Sequence, residues 1–169
     1  MSPTTTQITE LTTATIAGLT SSEIRSIGTT QLVALTATQV AALASAQVRA
    51  LTGTQAAALE TTDLAALGTA QLRGPVSTQP AALTTTQLAS LTTTQVAALT
   101  STQIGAIGSS QIRGMGTTDL AALTTTQMGG LTIQLGALTS TRVISLTTKG
   151  LAAFTRRRSA ASPPPSSAH

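Results

Sequence analysis

An eight-residue phrase, L-T-T-T-Q-V-A-A in consensus, recurs in register from Pro3 to Ala153. So short a period limits the fold more than any other feature of the chain. Nineteen units fit it, all of eight residues except LTIQLGA at 131–137, which is one short. Position 1 is Leu, Ile or Met in seventeen units, and position 6 is Ile, Leu, Val or Met in seventeen. With one Phe and no Tyr, Trp or Cys, a core has to be aliphatic, and disulfides and thiolate metal sites are excluded.

Three conformations compete for the octad. In a simple strand, positions five apart point to opposite faces, so only one of the two aliphatics would be buried. A continuous helix at 3.6 residues per turn would advance roughly 80° per octad beyond two turns and wind its apolar stripe around the rod. A short helix that stops and restarts in every unit avoids both problems. Thr at position 2 and Gln, Glu or Asp at position 5 form a capping box, and positions 1 and 6 become the N′ and N4 sites of a hydrophobic staple. Position 2, Thr or Gly in sixteen units, then serves as C′ of one helix, where Gly is favoured, and N-cap of the next.

The expected fold is an all-α repeat solenoid of short capped helices. A β-solenoid with Thr-rich flats and a disordered low-complexity chain are the alternatives. Two aliphatic side chains cannot offset the ordering of eight residues, so an isolated octad should not fold and stability has to come from stacking. Unit 75–82, PVSTQPAA, puts Pro75 and Pro80 at both core positions. A joint is expected there, between repeat arrays at 1–74 and 83–153, followed by a disordered basic, Pro/Ser-rich tail at 154–169.

Formal charge is +4, but Arg156, Arg157 and Arg158 supply three of the nine cations, leaving six against five acids in residues 1–155. Arg25, Arg49, Arg73 and Arg113 all occupy position 7, at separations of 24, 24 and 40 residues. They read either as a solvated face or, with the tail arginines, as contacts for nucleic acid or another anionic polymer. Without interleaved aromatics, base stacking has no platform, and nucleic acid is not the expected partner.

Catalysis lacks its parts. The only histidine is His169, the five acids are scattered, and the Thr and Ser hydroxyls have no activating base. Glu60 and Asp63 are the one close acidic pair, and both fall at capping positions. No catalytic, cofactor or metal site is expected. No membrane span is expected either, because there is no apolar run of about 18 residues. MSPTTTQITE lacks the charged start and apolar stretch of a secretory signal.

LTTTQVAALTSTQI and LTTTQMGGLT resemble the Thr/Ala/Gln-rich tandem repeats of large bacterial secreted or surface proteins, often labelled haem utilisation, adhesion or haemolysin-type. That resemblance covers residues 3–153. It implies a non-enzymatic structural or adhesive role at the cell surface or outside the cell, as a fragment or by a signal-peptide-independent route. Partners would be other surface proteins or polysaccharide. The calcium-binding G-G-x-G-x-D nonapeptide and haem-ligating His, Cys or Tyr are absent from the array, so neither ligand carries over. LTSTQIGAI at 99–107 is also similar to the opening helix of transcription-activator-like effector repeats, through a shared way of starting a helix. Regular Thr rows leave an ice- or polysaccharide-binding module as a further reading.

Overall fold

The structure is a computed structural model that describes residues 4–73 and 78–131, together with Gly136 and Leu138. Sixteen short helices follow one another, one in each of the first sixteen octads: α1 Thr5–Thr9, α2 Thr13–Gly18, α3 Ser21–Ser26, α4 Thr29–Val33, α5 Ala37–Ala41, α6 Ser45–Ala50, α7 Gly53–Ala58, α8 Thr61–Ala66, α9 Thr69–Leu72, α10 Thr78–Ala82, α11 Thr85–Ala89, α12 Thr93–Ala98, α13 Ser101–Ala106, α14 Ser109–Gly114, α15 Thr117–Ala122 and α16 Thr125–Met128. No strand occurs among the described residues, so the helical octad forms and the β-solenoid does not.

One octad shows why the chain breaks every eight residues. Thr92 is extended at the N-cap of α12, and its hydroxyl accepts the Gln95 N–H at 3.2 Å while Gln95 Oε1 accepts the Thr92 N–H at 2.9 Å. The Val96 N–H donates to the Thr92 carbonyl at 2.9 Å, and the Leu99 N–H closes the helix on the Val96 carbonyl at 3.2 Å. Leu99 is again extended, and Thr100 caps α13. In α5 and α11 the C-cap falls one residue earlier, at Ala42 and Ser90; where the helix runs on to position 8, as in α12, position 2 is both C′ and N-cap. The expected reason for glycine there is wrong: Gly28, Gly68, Gly108 and Gly116 are extended like Thr, and no described residue has a positive φ. Glycine is tolerated because the return bond from the position-5 side chain needs only a backbone N–H.

Positions 1 and 6 line one continuous core, with Ile8, Leu32, Val40, Leu88, Val96, Ile104 and Leu120 fully enclosed. Helices pack on those three octads away: α6 on α3 and α9, α13 on α10 and α16. Successive octads therefore wind into a superhelix. The tightest contact sets position 8 of one turn on position 3 of the turn before. A Cβ on Gly130 would collide with the Ser101 carbonyl oxygen, and one on Gly114 with the Thr85 methyl group. Glycine at position 8 therefore lets neighbouring turns come close, against backbone at Gly130 and against a threonine methyl group at Gly114.

Pro80 lies within α10, buried, and α10 packs on both α7 and α13. Pro75 lies outside the described residues, as do the units after Leu131, apart from Gly136 and Leu138, and the basic tail. Near Pro80 the core is underfilled. An apolar cavity of about 30 Å³ lies between Ala56, Pro80, Leu83 and their neighbours, where two stacked octads carry small residues at position 6. Ala56→Val, which restores a common residue, is expected to stabilise the chain by about 1 kcal/mol through added apolar burial. A urea midpoint that rises without a change in slope would bear this out.

Candidate functional site

The position-5 side chain has two jobs. In Gln95, 4 % exposed, Oε1 completes the cap of its own helix, while Nε2 reaches back to the previous superhelical turn. It donates to the carbonyls of Leu64 at 2.8 Å and Leu67 at 2.9 Å, with that of Ala65 at 3.5 Å. Gln39 makes the same contacts to Ile8, Thr9 and Leu11. Gln47, Gln55, Gln71, Gln87, Gln103, Gln111 and Gln127 also donate to carbonyls 28 to 31 residues earlier. A separation of 28 to 31 residues spans between three and four octads, one turn of the superhelix. Each such amide offers carbonyls near a helix C-terminus a donor that their own short helix does not supply.

The capping box was legible in T-x-x-Q, but the seam between turns was not read from it. The signal was present: a capping box accepts Glu as readily as Gln, yet twelve of the sixteen helices carry Gln at position 5. A carboxylate has no donor, so a preference for the amide marks a second partner.

Two of the exceptions fall in the first turn, Thr15 and Glu23, with no earlier turn among the described residues. The other two, Asp63 and Asp119, sit inside the array and are 4 % and 8 % exposed. Asp63 Oδ2 accepts the Glu60 N–H at 3.2 Å. Glu60 is the N-cap of α8 by position, but its carboxylate makes no cap bond, so the acidic pair caps through Asp63 alone. Desolvation raises both aspartates above the ordinary carboxylate range, partly offset by the cap hydrogen bonds.

The sign of this effect sets a pH dependence. A carboxyl whose pKa is raised by folding binds more protons in the native state, so its ionisation costs stability as pH climbs above the unfolded value of about 3.9. Exposed Glu23 acts the other way, because the Thr20 N–H and hydroxyl lower its pKa. Comparison with the double variant Asp63→Gln, Asp119→Gln cancels that contribution. The variant is expected to be more stable than the parent at pH 7, and its advantage should shrink as pH falls toward 4. An advantage that does not vary with pH would contradict the assignment.

Arg25, Arg49 and Arg73 lie on α3, α6 and at the C-cap of α9, three helices that stack in successive turns. The 24-residue spacing read from sequence is thus one step along the superhelix. Arg113 lies on α14, which stacks on α11, and so falls outside that line. Arg156, Arg157 and Arg158 are outside the described residues. The Arg25 Nε–H donates across turns to the Ala50 carbonyl at 3.2 Å. Below it, a surface groove of about 640 Å³ crosses α6, α9 and α12, with Arg49, Arg73 and the hydroxyls of Ser45, Thr69 and Thr94 over an alanine floor. No acidic side chain lines it.

Among the described residues no group of three His, Cys, Asp or Glu is placed to hold a metal ion, and no helix is long and apolar enough to cross a membrane. Fold and seam together define an all-α tandem-repeat solenoid in which each of the sixteen described octads forms one helix. The chain belongs to the ALTTAQ repeat family, whose model matches residues 16–53, 24–61, 56–93, 77–109 and 104–133. Comparison with curated proteins and with solved structures finds no match in either.

Proposed function

We propose that the chain is a non-enzymatic scaffold, a superhelical spacer with an adhesive surface that works at the outside of a bacterial cell. The glutamine seam carries this reading. Its bonds run along the superhelix axis, so every added octad extends the rod through the same contacts. Such a chain has a length set by repeat number and a stability that grows with stacked neighbours. Its outward positions 2, 3 and 4, mostly Thr and Ser, repeat weak hydrogen-bonding groups, and their number raises avidity where a single site would bind weakly. The surface assignment follows the likeness to repeats of secreted and surface proteins.

The spacer role is tested by inserting a second copy of residues 83–130 after Gly130. Six more octads, at about three and a half per turn and about 8–10 Å between packed helices, should lengthen the particle by roughly 14–17 Å at constant cross-section. Small-angle scattering that instead shows a wider particle of unchanged length would refute it. Protease shaving of intact source cells tests location: release of the chain supports the surface, and protection until lysis overturns it.

A further inference from the structure

We infer that the groove across α6, α9 and α12 binds a linear acidic polysaccharide. This names a ligand for the adhesive reading and rests on it; the spacer role stands without it. Arg49 is half-buried and Arg73 exposed, and both border the groove. Arg25 on α3 continues their line by one more turn, and at α12 the same octad position is Ala97, where the line ends. The arginines therefore step from one stacked helix to the next, about 8–10 Å each time.

That step separates the candidate polymers. A nucleic-acid strand carries a phosphate every ~3.4 Å of its axis, so arginines at this spacing would leave most phosphates without a partner. The groove also has no aromatic ring on which a base could stack. A glycan charged on alternate sugars carries its carboxylates or sulfates two pyranose rings apart, which is of the same order as the arginine step. Between the charges it presents hydroxyls, and beside the arginines the groove presents Thr69 and Thr94, which both donate and accept, and Ser45, whose hydroxyl donates to the Ala70 carbonyl at 3.2 Å and is left to accept. The planar guanidinium pairs in bidentate fashion with carboxylate. The alanine floor lets a ribbon-like chain lie close to the helices.

The test is titration of the full chain with hyaluronan and unsulfated chondroitin, which carry one carboxylate on every second sugar, and with duplex DNA, in one low-salt buffer, on the parent and three variants. Arg49→Ala, Arg73→Ala removes the groove cations, Arg113→Ala removes an arginine off the line, and Arg156→Ala, Arg157→Ala, Arg158→Ala removes the tail cluster. Binding to at least one of the two glycans, tighter than to DNA, is expected. The groove variant should weaken it at least about tenfold, and the other two should stay within about twofold. Circular dichroism and thermal melting of the groove variant should match the parent, so lost binding is not lost fold. A groove variant that binds as the parent does, a dominant tail effect, tighter DNA binding, or no glycan binding would each overturn the inference. None of these outcomes touches the insertion experiment that tests the spacer.

Discussion

Gln95→Glu is expected to destabilise the chain by about 2–4 kcal/mol, although Glu is a good capping residue at this position. The carboxylate can still accept the Thr92 N–H, so the local cap survives. What disappears is the Nε2 donor to the Leu64, Ala65 and Leu67 carbonyls, and an anion takes its place against those oxygens. Leaving buried carbonyls without a donor costs more than the net worth of the bonds, and burying a charge adds to it. The chain contains its own control. Glu23 fills the same octad position in α3, exposed, and its carboxylate accepts the Thr20 N–H at 2.7 Å. Glu23→Gln should therefore leave the urea midpoint close to that of the parent. A urea midpoint for Gln95→Glu close to that of the parent would mean that the seam contributes little.

The second large effect depends on place in the array. Ile104 and Ile8 are both fully buried at position 6. Ile104 belongs to α13, which packs on α10 before it and α16 after it, whereas Ile8 belongs to α1, which packs on α4. Ile104→Ala is expected to cost about 2–5 kcal/mol and to lower the cooperativity of unfolding, because a weakened interior octad uncouples the turns on either side. Ile8→Ala opens one end, so exchange should speed up in α1 while the main transition moves little. Equal losses at both sites would mean that the array melts as one undivided unit.

These two cases show where sequence reading succeeds. Helix starts, the two core positions and the octad register were legible because each shows in the residue pattern of a single octad, and repetition averages out irregular units such as LASAQVRA and LTGTQAAA. The superhelical turn is a different matter. Its closure depends on carbonyls some thirty residues back, and no octad pattern states how many units make a turn. The arginines illustrate the limit. Spacing in multiples of eight put Arg113 in the same set as Arg25, Arg49 and Arg73, but a turn that stacks every third helix separates it from them. Asp63 and Asp119 read as good caps, and only the opposing turn makes them costly residues at their sites. The glutamine preference was visible, and it lacked meaning until a second partner for the amide came into view.

The most direct test of the seam is hydrogen exchange of the glutamine side-chain amides, followed by NMR on the full chain. Gln39, Gln55, Gln95 and Gln127 donate through Nε2 to the turn before and are buried, whereas Gln7 lies in the first octad, exposed, and uses its side-chain oxygen to cap α1. The seam requires the four interior side-chain amides to exchange on the timescale of unfolding, with Gln7 exchanging as fast as a free glutamine. Exchange of all five at the free rate, in a chain whose backbone amides stay protected, would contradict it.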